Sequence, residues 1–232
     1  MPVPVAVLKE LPLLVNLPQV TIAHLAQIAV ERVFAKREVV LQKNSISSSL
    51  CFLLEGRLQG VDFTMDDREV GLYFINRGDY FGEVAVIDGR PQPEFITAVA
   101  RSKVVFISWD LIKPIIFASP KMAEAVCMRL ALRLREHVTQ RRILGLANPL
   151  QRVCAQLELL FMTSSVGKVY VSNAPTHQEI AIMINASRET VTRVFQLLQS
   201  RGVVERVGLD LLVEIPEFIR QTASGYLDPS KN

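Results

Sequence analysis

One helical segment near the C-terminus carries the side chains with the most specific chemistry. In "ASRETVTRVFQLLQSRG", residues 186–202, one side of the helix is apolar and the other presents Arg188, Glu189, Thr192, Arg193 and Gln196. An arginine can offer two parallel donors to O6 and N7 of guanine, and a glutamate can accept from N4 of cytosine. The segment therefore has the chemistry of a helix that contacts base edges. An ordinary solvated helix with an Arg–Glu pair is the alternative.

The residues around this helix supply what is needed to position it. Thr176 and Glu179 have the spacing of a capping box, which predicts the start of a preceding helix. Asn185 can adopt the left-handed conformation of a tight turn, and Ser187 can cap the second helix. The stretch "GVVERVGLDLLVEI" predicts two short strands around Gly208. Together these elements predict a winged helix-turn-helix.

Short polar groups at the starts of both helices suit phosphate oxygens, which fix orientation without reading sequence. The candidate DNA-backbone contacts are Thr176, Gln178, Ser187 and Thr190.

The charge distribution limits where a nucleic acid could bind. The chain has 232 residues, of which 50% are hydrophobic, enough for one large domain or two modest ones. Its net charge is only +3, so a nucleic-acid surface must be local. Residues 118–146 hold six Lys and Arg residues against two Asp and Glu residues, whereas the segments on either side are nearly neutral.

Cysteine usage and hydropathy favour a cytoplasmic protein that does not enter a membrane. Cys51, Cys127 and Cys154 are widely separated, which argues for reduced thiols and against a zinc site or cysteine-ligated cluster. The apolar N-terminus lacks the basic start of a signal peptide. The apolar stretch "VVFISWDLIKPIIFASP" is interrupted by Asp110, Lys113 and Pro114, so it is not expected to span a bilayer.

The first half of the chain has the pattern of a β-rich domain. Between about residues 32 and 108, short apolar runs are separated by turn signals and predict a sandwich or barrel. These runs are "REVVLQ", "SLCFLLEGRLQGVDF", "VGLYFI", "FGEVAVI", "FITAVA" and "KVVFIS". With the helical second half, they predict the α+β class.

Residues 118–146 predict one long helix, entered at Ser119 and Pro120 and unbroken until Gly145. It has two apolar faces, one with Val126, Leu130 and Leu134, the other with Met128, Leu132 and Val138. Each apolar face needs a surface that covers it, such as the chain's own β domain for one face and a second copy of the helix for the other. We therefore predict a homodimer with Val126, Leu130 and Leu134 as the dimer-helix residues; a long basic surface helix of a monomer is the alternative.

The segment "GLANP" predicts a hinge after this helix, with Asn148 capping a new helix that starts at Pro149.

A family resemblance now extends this interpretation. The segment "THQEIAIMINASRETVTRV" resembles the recognition segment of the cyclic-AMP receptor protein/fumarate-nitrate regulator (CRP/FNR) family of bacterial transcription regulators. The resemblance implies that Arg188, Glu189 and Arg193 read bases in a palindromic operator with GTGA-like half-sites. It also implies a homodimer and contact with RNA polymerase. The implied order is a cyclic-nucleotide-binding-type β-barrel (jelly roll) at 1–117, a dimerisation helix at 118–146, and a winged helix-turn-helix at 147–232.

The same resemblance places an effector pocket in the β-barrel. "NRGDYFGEVAVIDGRP" resembles the family's phosphate-binding cassette, with Gly82 and Glu83 at its "GE" position. The family's Arg-Ser pair, which neutralises the cyclic phosphate, is replaced by Pro93-Glu94 or Glu94-Phe95. A carboxylate there repels a phosphate, which disfavours cyclic AMP. Candidate pocket residues are Gly82, Glu83, Val84, Arg90, Glu94, Thr97, Arg133 and His137.

The effector itself is left open by these residues. Another nucleotide, an unidentified small molecule or no effector at all would be compatible with the pocket, and no cofactor is assigned. His137 is interpreted as a polar residue of the dimer seam rather than a haem ligand.

Two function classes compete with a DNA-binding regulator. One is a small-molecule or nucleotide-binding signalling module whose second domain mediates protein contacts, which a mobility-shift assay would distinguish. The other is an enzyme. The sequence lacks G-x-S-x-G, H-E-x-x-H and P-loop motifs, so no catalytic or metal-ligating residue is assigned.

Overall fold

A computed structural model describes residues 3–46, 49–66 and 68–226. The chain divides into two compact units. The first comprises Met1–Phe63 and Leu72–Glu136, and the second comprises Thr64–Gly71 and His137–Asn232. Residues 1–2 and 227–232 of the predicted outer domains lie outside the described residues. Within the described part of the chain, no helix is both long and apolar enough to cross a bilayer.

Among the described residues, eight strands of the N-terminal part form two antiparallel four-stranded sheets. One sheet has the order β1 (Val30–Phe34), β8 (Ser102–Ser108), β3 (Ser49–Glu55), β6 (Tyr80–Phe81). The other has the order β2 (Val39–Leu41), β7 (Phe95–Ala98), β4 (Leu58–Phe63), β5 (Glu69–Ile75). The described strands do not close into one continuous barrel.

Strand β3 shows why this arrangement buries both of its faces. Successive side chains of a strand point to opposite sides of the sheet. Cys51 and Leu53 pack between the two sheets, in a core that also contains Ile75, Phe81 and Ile96. Leu50 and Phe52 point to the other side and pack on α2 (Gln19–Ile28) and α4 (Trp109–Ala118). A short helix, α1 (Val5–Lys9), completes this helical layer.

One predicted strand is wrong. Of the run "FGEVAVI", only Phe81 belongs to a strand, and the rest forms α3 (Glu83–Asp88). Gly82 adopts a left-handed φ of 82°, which ends β6 and starts the helix, and Gly89, with a φ of 70°, ends it. A short apolar run alone does not distinguish a buried strand from a buried helix. The two flanking glycines were the local signal for a helix.

The predicted long helix is confirmed as α5 (Pro120–Leu144), which has 25 residues. Met122 and Val126 of this helix are buried in the core of the first unit, and Leu130 packs partly against it. Leu134 is 66% exposed and Val138 is 64% exposed. Val126, predicted as a dimer-helix residue, is therefore a core residue of its own chain, because its face of the helix lies in a cluster with Ile112 and Ile116 of α4.

The second unit contains α6 (Pro149–Glu158), α7 (His177–Met183), α8 (Arg188–Ser200) and α9 (Pro216–Ala223). Four short strands form a sheet in the order β11 (Val204–Val207), β12 (Asp210–Val213), β10 (Val169–Val171), β9 (Met162–Thr163). Gly208, with a φ of 61°, lies in the turn between β11 and β12, as expected for the wing. Asn148 caps α6 by accepting a hydrogen bond from the Gln151 amide at 2.9 Å, as predicted. The predicted fold class is confirmed.

Candidate nucleic-acid interface and effector pocket

Reciprocal hydrogen bonds define the start of α7, the first helix of the helix-turn-helix. The Glu179 amide donates to Thr176 Oγ1 at 3.3 Å, and the Thr176 amide donates to Glu179 Oε2 at 3.1 Å. These bonds form the predicted capping box and satisfy two amides that the helix itself leaves unpaired.

The turn from α7 to α8 is fixed by local geometry and by buried contacts. Asn185 has a φ of 49°, as predicted, and Ser187 Oγ accepts a hydrogen bond from the Thr190 amide at 3.1 Å. Ile180, Val191 and Leu198 are completely buried in this unit. A tight turn with a packed apolar interior leaves the two helices little freedom to change their crossing angle.

Two polar side chains that the sequence analysis missed reinforce this turn. Arg152 of α6 donates to the carbonyl oxygens of Leu146 and Ile184, at 3.0 and 3.3 Å. Gln140 of α5 is buried and donates to the Met183 carbonyl oxygen. Both stabilise the C-terminal end of α7, where the last carbonyl groups of a helix lack partners within it. Arg152 and Gln140 are distant from the end of α7 in sequence, and only the tertiary fold brings them close to it.

The three predicted base-reading residues, Arg188, Glu189 and Arg193, are all exposed on α8. The Glu189 carboxylate accepts hydrogen bonds from its own amide and from Ser187, and these bonds hold its pKa below the usual range. Both oxygens of the ionised carboxylate are acceptors of hydrogen bonds. Arg193 Nη2 lies 3.5 Å from Thr190 Oγ1, which leaves most of its guanidinium donors for an external partner.

The predicted backbone contacts lie at the entries of the same two helices. Thr176, Gln178 and Ser187 are exposed, and Thr190 is half-buried. The hydroxyl oxygens of Thr176 and Ser187 accept backbone hydrogen bonds; Ser187 donates its own hydrogen to Glu189, whereas Thr176 can still donate to a second group.

Inside the first unit, an arginine from α5 is buried among side chains of the β domain. Arg133 is 6% exposed, and its guanidinium carbon lies 3.5 Å from the centroid of the Tyr73 ring. Arg133 Nε lies 3.9 Å from Oε1 of Glu83, which is 4% exposed. The Tyr73 ring packs so closely on Gly60 that a Cβ there would lie 2.7 Å from Tyr73 Cζ.

The same tyrosine connects this cluster to Glu94. The Tyr73 hydroxyl donates to Glu94 Oε1 at 2.5 Å, and Gln92 Nε2 donates to the same oxygen at 3.3 Å. Burial raises the pKa of Glu94, and the Tyr73 hydrogen bond and Arg133 partly offset this increase. Burial also raises the pKa of Glu83, against the opposing field of Arg133. Tyr73 and Gln92 carried no recognisable sequence signal.

The structure brings together only part of the predicted effector pocket. Glu83, Glu94 and Arg133 form one cluster around Tyr73, next to Gly82. Val84 is 38% exposed and Arg90 is exposed. Thr97 is half-buried, with Oγ1 3.5 Å from the Gln59 carbonyl oxygen. His137 is exposed and belongs to the second unit.

Comparisons with known proteins agree with this architecture. Residues 31–119 match the cyclic nucleotide-binding domain and residues 151–218 match the Crp-like helix-turn-helix domain. The chain belongs to the CRP/FNR family of transcription regulators.

Individual relatives of the CRP/FNR family match most of the chain at low identity. The CRP-like cAMP-activated global transcriptional regulator of Mycobacterium tuberculosis is 26% identical over 193 residues, 82% of this chain and 86% of that protein. The cAMP-activated global transcriptional regulator CRP of Pasteurella multocida is 24% identical over 186 residues, 78% and 88% of the two chains. FixK2 of Bradyrhizobium japonicum shares the fold, with a TM-score of 0.72 at 16% identity over 84% of this chain and 97% of FixK2.

Some buried polar atoms in this cluster have no hydrogen-bond partner among the described residues, including the three guanidinium nitrogens of Arg133. The Tyr73 ring lies between Gly60 and the Arg133 guanidinium. Glu94 is hydrogen-bonded to Tyr73 and Gln92, and the nearby Asp62 is paired with Lys43, whose Nζ lies 2.7 Å from Asp62 Oδ2. The CRP/FNR scaffold is present, with Tyr73 and Glu94 packed next to Arg133.

The buried carboxyl of Glu94 predicts a specific pH dependence of stability. Its pKa is higher in the folded protein than in the unfolded chain. Its contribution to stability is therefore complete below the unfolded value, about 4.3, and is lost as the pH rises through the folded value. Glu94→Gln keeps an amide oxygen for the Tyr73 hydroxyl but does not ionise. We expect the variant to unfold at a higher temperature than the wild type at pH 8, and at about the same temperature near pH 4.

The matched control is Glu124→Gln, which alters an exposed carboxylate on α5. Its unfolding temperature should follow that of the wild type at both pH values. If Glu94→Gln did the same across this range, Glu94 would not be an ionisable group inside the unit.

Proposed function

We propose that the protein is a homodimeric, sequence-specific DNA-binding regulator that reads a palindromic operator without requiring cyclic AMP. The observation that carries this proposal is the exposed Arg188–Glu189–Arg193 face on a capped and rigidly packed α8. We divide the chain into a sensor domain at 1–117, a dimerisation helix at 118–146 and a DNA-binding domain at 147–232. As a regulator of this family, it is expected to act in the cytoplasm and to contact RNA polymerase.

Sequence reading is assigned to three side chains on α8. Arg188 and Arg193 each donate a pair of hydrogen bonds to a guanine, and Glu189 accepts from a cytosine N4 amino group. Thr176, Gln178, Ser187 and Thr190 bind phosphate oxygens and fix the orientation of α8 in the major groove.

Dimerisation is assigned to an exposed row of side chains on α5. Cys127, Ala131, Leu134 and Val138 are exposed and follow one another at spacings of four, three and four residues. We call this row the α5 stripe. Spacings of three and four place residues on one face of a helix, as in a two-stranded coiled coil. The stripe keeps the predicted Leu134 as a seam residue, whereas Val126 and Leu130 pack within their own chain.

The contacts of Tyr73 support a first domain whose conformation does not depend on a bound effector. In this proposal, the stack of Tyr73 and Arg133 and the hydrogen bond to Glu94 hold α5 against the β domain without a nucleotide. The relatives from M. tuberculosis and P. multocida are described as cAMP-activated, so this chain would differ from them in its control.

Loss of one arginine should change base preference in a defined way. Arg193→Ala should weaken binding to a duplex with two GTGA half-sites by about 1–3 kcal/mol per half-site, because one bidentate guanine contact is lost. Discrimination should relax at one base pair of each half-site, measured as affinities for single-base-pair variants of the duplex. Gln178→Ala should instead weaken binding to all these duplexes about equally.

The control for this series is Arg201→Ala. Arg201 lies at the C-terminal end of α8, where its guanidinium is 5.9 Å from the centroid of the Phe218 ring. Its loss should leave the base preference unchanged. An Arg193→Ala variant that discriminates among the duplexes as the wild type does would refute the assignment of α8 residues to bases.

Charge placed in the α5 stripe should separate the dimer. The double variant Leu134→Glu, Val138→Glu places four carboxylates in the proposed seam, where like charges repel. Light scattering at micromolar concentration should give a dimer for the wild type and a monomer for this variant. Val20→Glu, on the 81% exposed Val20 of α2, is the control and should remain a dimer. A monomeric wild type would contradict the dimer outright.

Cyclic AMP should bind weakly or not at all. Titration calorimetry of the wild type should give no dissociation constant in the micromolar range or below, since Tyr73 and Glu94 occupy the site. A cyclic-AMP-activated relative, such as the P. multocida regulator, serves as the positive control. Micromolar binding together with DNA binding that requires cyclic AMP would contradict the effector-independent sensor.

A further inference from the structure

His177, the first residue of α7, is held against α8 by two contacts. Its Nδ1 atom lies 2.9 Å from Thr192 Oγ1, and its ring stacks on the Phe195 ring with centroids 4.5 Å apart and planes at 29°. Phe195 is buried, whereas His177 is half-buried. Two contacts on one imidazole fix both its position and its orientation. Its neighbours Thr176 and Gln178 are exposed at the entry of the same helix.

The hydrogen bond of Thr192 determines which imidazole nitrogen carries the proton. Thr192 Oγ1 donates its only hydrogen to the Arg188 carbonyl oxygen at 2.9 Å. While this bond is formed, Thr192 Oγ1 accepts from His177, and Nδ1 is the protonated nitrogen. In the neutral ring, Nε2 is then a bare acceptor on the far side from Thr192. A bare acceptor repels a phosphate oxygen, whereas a protonated Nε2 would donate to it.

The charged side chains that face His177 are cationic. Arg188 comes from α8 and Arg206 from β11, and burial together with their fields lowers the pKa of His177. Arg206 is held near the entry of α7 because Nη2 donates to the Ala174 carbonyl oxygen at 3.2 Å and Nε donates to that of Gly208 at 3.3 Å.

The carboxylates of the same two helices are engaged elsewhere. Glu179 closes the capping box of α7, and Glu189 accepts from Ser187 and from its own amide. A negative partner that favours the charged imidazole must therefore come from outside this set of residues. A DNA phosphate next to Arg188 and Arg206 has that charge.

We propose that His177 is a phosphate contact that acts only after gaining a proton, so that each protomer takes up a proton when it binds DNA. The proposal rests on the DNA-binding function proposed above and adds a pH dependence to it. Thermodynamic linkage determines the direction of the pH dependence. If the DNA-bound protein holds more protons than the free protein, its affinity for DNA rises as the pH falls.

The test measures the affinity for a duplex with two GTGA half-sites between pH 5.5 and 8.5 at constant ionic strength. For the wild type, we expect the affinity to rise as pH falls, by up to roughly tenfold per pH unit for each protomer at the steepest point. His177→Gln cannot gain a charge and should lose this pH dependence, binding more weakly at pH 6. His177→Arg is always charged and should bind tightly with the same flat profile as His177→Gln. His24 and His137 are present in all three proteins and serve as internal controls.

Two outcomes would overturn the proposal alone. One is DNA binding in which the wild type and His177→Gln have parallel pH profiles. The other is a long-range proton–nitrogen NMR spectrum of the free protein showing the proton of neutral His177 on Nε2 rather than Nδ1. Absence of DNA binding at every pH, for the wild type and His177→Arg alike, would overturn the proposed function and this proposal with it.

Discussion

The buried contact between α7 and α8 is the constraint on which the DNA-facing surface depends. Ile180 from α7 and Val191 and Leu198 from α8 are completely buried, and the helices are joined by a tight turn at Asn185. Because that crossing is fixed, Arg188 and Arg193 are presented from a surface that does not need to reorganise on binding. Preorganisation of this kind lowers the conformational entropy lost on association. The contacts of His177 with Thr192 and Phe195 cross the same boundary between the helices.

The cyclic nucleotide-binding domain has one buried cluster, around Arg133, that joins α5 to the β domain. Glu83 remains at the start of α3, between two glycines with positive φ, and lies close to Arg133. Tyr73 and Glu94 place an aromatic ring and a carboxylate next to the Arg133 guanidinium. An arginine stacked on an aromatic face is stabilised by the ring quadrupole even when it is largely removed from water. On this account, the interaction between α5 and the β domain is built into the chain.

Local signals predicted the helix-turn-helix well, whereas contacts between distant segments could not be inferred. The capping box of Thr176 and Glu179, the turn at Asn185 and the cap at Ser187 each depend on neighbours within three residues, and all are confirmed. The helical part of "FGEVAVI" was mistaken for a strand because a short apolar run has no decisive period. Two apolar faces on one helix do not reveal which of them packs on the chain's own core, and the burial of Val126 became evident only from the fold. Tyr73 and Arg152 act through partners 21 and 32 residues away along the chain.

The central claim is that this CRP/FNR regulator recognises a specific DNA sequence without a nucleotide effector. Its most direct test is selection of bound duplexes from a random DNA pool by the full-length wild-type protein in nucleotide-free buffer. The account predicts enrichment of a palindrome whose GTGA-like half-sites have centres about one helical turn, roughly 34 Å, apart. Enrichment that appears only after cyclic AMP is added, or no palindrome under either condition, would contradict it.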